Sequence, residues 1–153
     1  MRRRLVFTLV IVGLIGAIAI PALATSHGPE TNHKVRVATL TGDGQTVPVA
    51  SDAAGLAVVT VDQRKGLLCY ELTIDGLTPV AAHIHEGAAG VNGPIVVDFT
   101  AFGDDITDPR AEGCTLSVSK ATIRAIRTNP SGYYVNIHTA ANPGGELRGQ
   151  LSR

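Results

Sequence analysis

Tyr133-Tyr-Val-Asn-Ile-His-Thr139, then Asn142-Pro-Gly-Gly145, then Glu146-Leu-Arg-Gly-Gln-Leu151 is the stretch whose reading decides the fold. Both flanks alternate apolar and polar residues with the period of a β-strand. Between them, proline and glycine stand where a type II turn requires them. A hairpin symmetric about Asn142 sets His138 opposite Glu146 and Asn136 opposite Arg148 across the ladder. It also sends Val135 and Ile137 to the core with Leu147 and Leu151.

Upstream the same grammar repeats. Val35 to Leu40 is followed by a loop around Gly42-Asp43-Gly44. Gly55 to Val61 and Gly66 to Ile74 are joined by Asp62-Gln-Arg-Lys65, a plausible hairpin connection. In the second of these runs Tyr70, Leu72 and Ile74 share one face, and Cys69, Glu71 and Thr73 share the other. Ala81 to His85 and Pro94 to Phe99 flank a loop carrying Gly87, Gly90 and the Asn92-Gly93 pair. One segment departs from this pattern. Ser119 is a good N-cap, Ile123 and Ile126 fall on one helical face, and Asn129-Pro130 is a stop, so the spacing predicts a short helix over about 119–128. The class expected is therefore all-β: an antiparallel β-sandwich or partly closed barrel of about 7–9 short strands. With no tryptophan and 4% aromatics, its core must come mainly from Val, Ile, Leu and Ala.

The other end of the chain reads differently. Arg2 to Arg4 precede an apolar run from Leu5 to Ile20, broken by Pro21 and followed by Ala22-Leu23-Ala24. A basic start, an apolar centre and an A-x-A site form the secretory pattern, and the run is short of the roughly 20 residues of a spanning helix. The expected organisation is a signal peptide over 1–24, a flexible leader over 25–34 and one β domain over 35–153. The expected location is secreted or cell envelope, with the membrane met only in transit through the signal peptide. Without residues 1–24, ten basic residues face thirteen acidic ones, a net charge of −3. That balance lacks the basic excess that neutralising a nucleic-acid backbone demands. In such a compartment Cys69 and Cys114 read as a disulfide, worth up to about 4 kcal/mol by loop-closure entropy.

Candidate chemistry rests on histidine. His83 and His85 are two apart in one predicted strand and so leave the same face, while His138 lies opposite the apolar set of the later hairpin. Imidazoles from two strands are a way to bind copper or zinc. Glu146, placed beside His138, is a candidate fourth ligand or an orienting group, and Glu86 is a weaker one. The alternative is three half-exposed histidines bonded to backbone or carboxylates nearby. A second candidate is His27. Cleavage after Ala24 leaves Thr25-Ser26-His27 at the amino terminus, whose amine, two amides and imidazole suit square-planar Cu(II) or Ni(II). No nucleophile motif, no free cysteine beside a histidine and no paired carboxylates point to catalysis. The reading is a non-catalytic binding or structural module whose partner is an extracellular ligand or protein.

Three stretches carry a family resemblance. Ala82-His-Ile-His-Glu-Gly-Ala-Ala-Gly-Val-Asn-Gly-Pro-Ile-Val-Val97 and Tyr134 to Leu151 resemble the two halves of the CHRD domain signature, and Ala38 to Ala50 resembles that family's opening segment. The resemblance runs from about Val35 to Leu151 and implies an all-β extracellular module, with no growth-factor partner suggested by this chain. A looser similarity, in the H-x-H strand alone, is to copper/zinc superoxide dismutase, and it makes a copper-dependent redox enzyme the alternative reading. That activity is not carried over, because the dismutase centre needs six histidines and an aspartate and only His83, His85 and His138 are available in strands.

Overall fold

The structure, a computed structural model, describes residues 33–100 and 106–153. The proposed signal peptide, most of the leader and His27 lie outside the described residues. The described residues form eight strands: β1 (His33–Thr41), β2 (Ala54–Asp62), β3 (Leu67–Asp75), β4 (Ala81–Glu86), β5 (Ile95–Asp98), β6 (Arg110–Thr115), β7 (Tyr133–His138) and β8 (Leu147–Gln150). One helix, α1 (Lys120–Thr128), precedes β7. His33 and Lys34, assigned to the leader by composition, instead open β1, paired with Asp62 and Val61.

All eight strands belong to one antiparallel sheet in the order β5-β4-β7-β8-β1-β2-β3-β6. The sheet curls into a half-barrel, so of the two architectures expected the partly closed barrel is the one formed. Its inward face carries Ala38 and Leu40 of β1, Ala57, Val59 and Val61 of β2, Leu68, Tyr70 and Leu72 of β3, and Val135 and Ile137 of β7. Across the interior Tyr70 stacks on Phe99, just beyond β5, with ring centroids 4.2 Å apart. Each strand thus puts its apolar alternates inward, which is what fixes register where one face is buried.

Helix α1 packs against the inward face. Ser119 caps it by accepting a hydrogen bond from the Thr122 amide, and Ile123 and Ile126 are fully buried. The β7–β8 ladder has the register expected, Asn136 opposite Arg148. Its turn is not type II, however. The Gly145 amide bonds the Asn142 carbonyl, and the positive φ, 121°, falls at Gly145 and not at Gly144.

The strand that sequence reading missed is β6. Its residues Arg-Ala-Glu-Gly-Cys-Thr have low β-propensity, and the sequence reading assigns no element between Phe99 and Ser119. It forms an edge, held to β3 by six register pairs that include Cys69 opposite Cys114, whose sulfurs are 2.04 Å apart.

Candidate metal centre

The outward face of β4, β7 and β8 is polar, yet it is not open to solvent. On β4, His83 stands opposite Asn136, His85 opposite Tyr134, and Ala81 opposite His138 of β7. Every residue of β7 is buried. Val135 and Ile137 face the core, while Tyr134, Asn136 and His138 are covered from the other side by loops. The roof is tied down by hydrogen bonds. Gln45 donates to Asn136, the Gly93 amide donates to the Tyr134 hydroxyl, and Arg148 donates to the Ala88 and Val91 carbonyls and to Asn92 Oδ1.

Under this roof the three strand histidines meet. A ring nitrogen from each of His83, His85 and His138 lies within 4.8 Å of the others. His83 Nδ1 is 3.0 Å from His138 Nε2. The remaining ring contacts fix orientation. His85 Nδ1 is 2.9 Å from the Gly93 carbonyl, and His138 Nδ1 is 2.9 Å from the Pro143 carbonyl. A carbonyl accepts only, so both Nδ1 atoms carry hydrogen, and in the neutral rings Nε2 keeps its lone pair. His83 Nε2 lies 3.6 Å from Asp98 Oδ1, beyond hydrogen-bond range, so in the neutral, metal-free cluster His83 Nδ1 carries the hydrogen that the lone pair of His138 Nε2 accepts. His85 Nε2 is buried with no hydrogen-bond partner among the described residues. Each ring therefore turns one nitrogen towards an oxygen and leaves the other for the cluster.

Electrostatics act in the same direction. Burial, then the nearby His138, hold His83 below the ordinary histidine pKa, against an opposing pull from Asp98. Burial is also the main cause for His85, opposed by its bond to Gly93. Both rings are thereby kept neutral, the form in which imidazole is a ligand.

Glu146 is placed differently from the two roles proposed for it. It lies beside His138 in register, but its carboxylate accepts from Thr139, Ser51 and Asn142, and those bonds, Thr139 first, hold its pKa below the carboxylate norm. The orienting acceptor on His138 is the Pro143 carbonyl instead. Glu86 ends β4 on an exposed position and is outside the cluster. The functional residues that sequence reading missed are the ring anchors, Asp98 and the carbonyls of Gly93 and Pro143. Carbonyls leave no mark in side-chain identity, and only the turn residues around them signalled a constrained backbone.

Tyr134 and Arg148 also escaped notice. His85 stacks on Tyr134 at 4.9 Å and 9°, and the Arg148 guanidinium sits 3.4 Å from the centre of the same ring. Gly93 shows how tightly the roof is fitted, because a Cβ there would overlap the Glu86 carbonyl oxygen.

No curated protein and no solved structure matches this chain. The family model of the CHRD domain matches residues 36–151, a span that takes in most of β1, all of β2 to β8, the histidine cluster and the roof over it. The chain belongs to the CHRD domain family.

Proposed function

We propose that this domain is a non-catalytic module acting outside the cytoplasm, and that His83, His85 and His138 bind a divalent transition metal, Cu(II) or Zn(II). One observation carries the reading: three imidazoles, His138 buried and His83 and His85 half-buried, bring ring nitrogens within 4.8 Å of one another, and a backbone carbonyl orients two of the rings from the opposite nitrogen. That is the usual arrangement around a ligating histidine. Without a cation, His83 Nδ1 and His138 Nε2, 3.0 Å apart, share a proton, and a bound metal would displace it, since ligand binding releases protons. Metal–nitrogen bonds of about 2.0–2.1 Å span that pair as it stands, and the widest separation, up to 4.8 Å, has to close by about 1.4 Å to reach the roughly 3.4 Å of a tetrahedral site.

Donor chemistry narrows the metal. Both cysteines are joined to each other, and Met1 is the only methionine, so no thiolate or thioether is at hand for Cu(I). An all-imidazole set suits Cu(II) and Zn(II), with copper the tighter by the Irving–Williams order. The test is a melting curve of metal-free protein carrying His27→Ala, which removes the competing amino-terminal copper site. A hundredfold excess over Kd is expected to add about 2.7 kcal/mol, and His138→Ala should abolish most of that gain. An unchanged curve, or equal gains in a variant lacking all three histidines, would falsify the assignment.

Placement outside the cytoplasm is supported by the disulfide and by the pattern of residues 1–24. Mass spectrometry of protein from the medium or envelope is expected to find Thr25 first. Recovery of the full-length chain from the membrane fraction would overturn export with cleavage.

A further inference from the structure

Positive charge is crowded where the start of β1 meets the end of α1. Arg36 is 6% exposed, and its guanidinium donates to the carbonyls of Val35, Ile126 and Arg127. Those carbonyls, two of them in the last turn of α1, satisfy its donors and bring only the partial negative charge of a helix end. Lys34, Arg127 and Arg153 complete with it a groove of about 440 Å³, and among the described residues no acidic side chain lines that groove. Burial, followed by the charges of Arg153 and Arg127, weakens the hold of Arg36 on its proton, which shows that these cations lie close enough to repel.

Two further observations favour an anion as the ligand of this groove. The Nε of Arg127 is buried without a hydrogen-bond partner among the described residues, and an unpaired buried N–H is costly. Along α1, Lys120, Arg124 and Arg127 follow one another at i, i+4 and i+7, and the helix contains no acidic residue. That spacing sets the three on one side of the helix, so a basic ridge leads to the groove. Guanidinium groups match oxyanions through paired N–H donors, a fit that a spherical halide does not offer.

We propose that this groove binds a tetrahedral oxyanion, a phosphate or sulfate group, through Arg127, Lys34 and Arg153, with Arg36 fixed behind them. Residues 25–153 carry a net charge of −3, so the attraction is a property of this groove and not of the whole molecule. Nothing in it depends on the metal centre.

The experiment titrates inorganic phosphate, sulfate and chloride at matched ionic strength into nitrogen-15-labelled protein and follows the arginine Nε–Hε signals. Phosphate and sulfate are expected to shift the Arg127 signal saturably, with chloride doing little. Arg127→Gln should weaken binding about tenfold, the scale of one charge-assisted hydrogen bond, and Lys34→Gln should weaken it less, both with unchanged circular dichroism. A second arm compares vesicles of phosphatidylglycerol with vesicles of phosphatidylcholine. Capture by phosphatidylglycerol alone, lost in Arg127→Gln, assigns the phosphate to a lipid headgroup. A response to free phosphate without capture assigns it to a soluble anion. Equal shifts with chloride, undiminished binding in Arg127→Gln, or no response in either arm overturns the proposal.

Discussion

Arg148→Met is expected to lower stability by about 3–5 kcal/mol and, in the same protein, to weaken metal binding about 10–100-fold. Arg148 is 2% exposed, and among the described residues no carboxylate accepts from it. Its charge is compensated by the Tyr134 ring face and by three oxygens of the loop between β4 and β5. Methionine fills most of the volume but leaves the Ala88 and Val91 carbonyls with Asn92 Oδ1 short of donors under the roof, and buried acceptors without donors are costly. Lysine is a poor substitute, since one ammonium cannot reproduce a planar fork stacked on a ring. The functional consequence follows from the same loop. Its Gly93 carbonyl holds hydrogen on His85 Nδ1, so a loosened loop frees the imidazole to turn or change tautomer. Denaturant unfolding of the metal-free protein and isothermal titration with Zn(II) separate the two effects. Stability within 1 kcal/mol of the parent would refute the roof's dependence on Arg148. Full metal affinity in a destabilised variant would refute its link to His85.

How much of this was legible in the sequence depended on the kind of force involved. Period-two alternation reports burial of one face, so β1, β2, β3, β7 and β8 could be read to within a residue or two, and even the Asn136–Arg148 register followed from the turn. The helix was legible because Ser119, Ile123 and Ile126 each act locally. Convergence of the three histidines was only suggested, since the pairing of β4 with β7 joins residues about 50 apart and depends on the whole sheet. Burial of the histidine face was not legible at all. Alternation predicts a solvent side for β7, whereas loops pinned by Arg148, Gln45 and Tyr134 cover it, and hydrogen bonds to backbone carbonyls leave no periodic trace. The same gap explains Glu146. Its register was right, but Ser51, Thr139 and Asn142 claim its carboxylate.

Replacing Cys69 and Cys114 together by alanine is expected to cost about 2–4 kcal/mol and to release β6 before the rest of the sheet. The disulfide closes a sequence separation of 45 residues, for which loop-closure entropy sets a ceiling of about 4 kcal/mol. Its position suggests why so poor a strand persists. Among the described residues β6 pairs with β3 alone; it contains Gly113 and Glu112 at its centre and buries Ala111 and Thr115 as its inward side chains. Small inward groups offer little apolar area, at about 25 cal/mol per Å², to offset the ordering of six residues. A covalent link to the directly opposed residue of β3 supplies the missing constraint by removing open conformations from the unfolded chain. Hydrogen exchange reads this locally. In the double variant the β6 amides that bond β3 should lose protection well before those of β1 and β2, which lie between other strands. The histidine cluster, built on β7 and β4, five and six strands away in the sheet order, should keep its metal response. A uniform loss of protection across all eight strands would mean that β6 is integral to one cooperative unit. A loss of under 1 kcal/mol with β6 still protected would show that Ala111, Thr115 and the ladder hold the edge unaided.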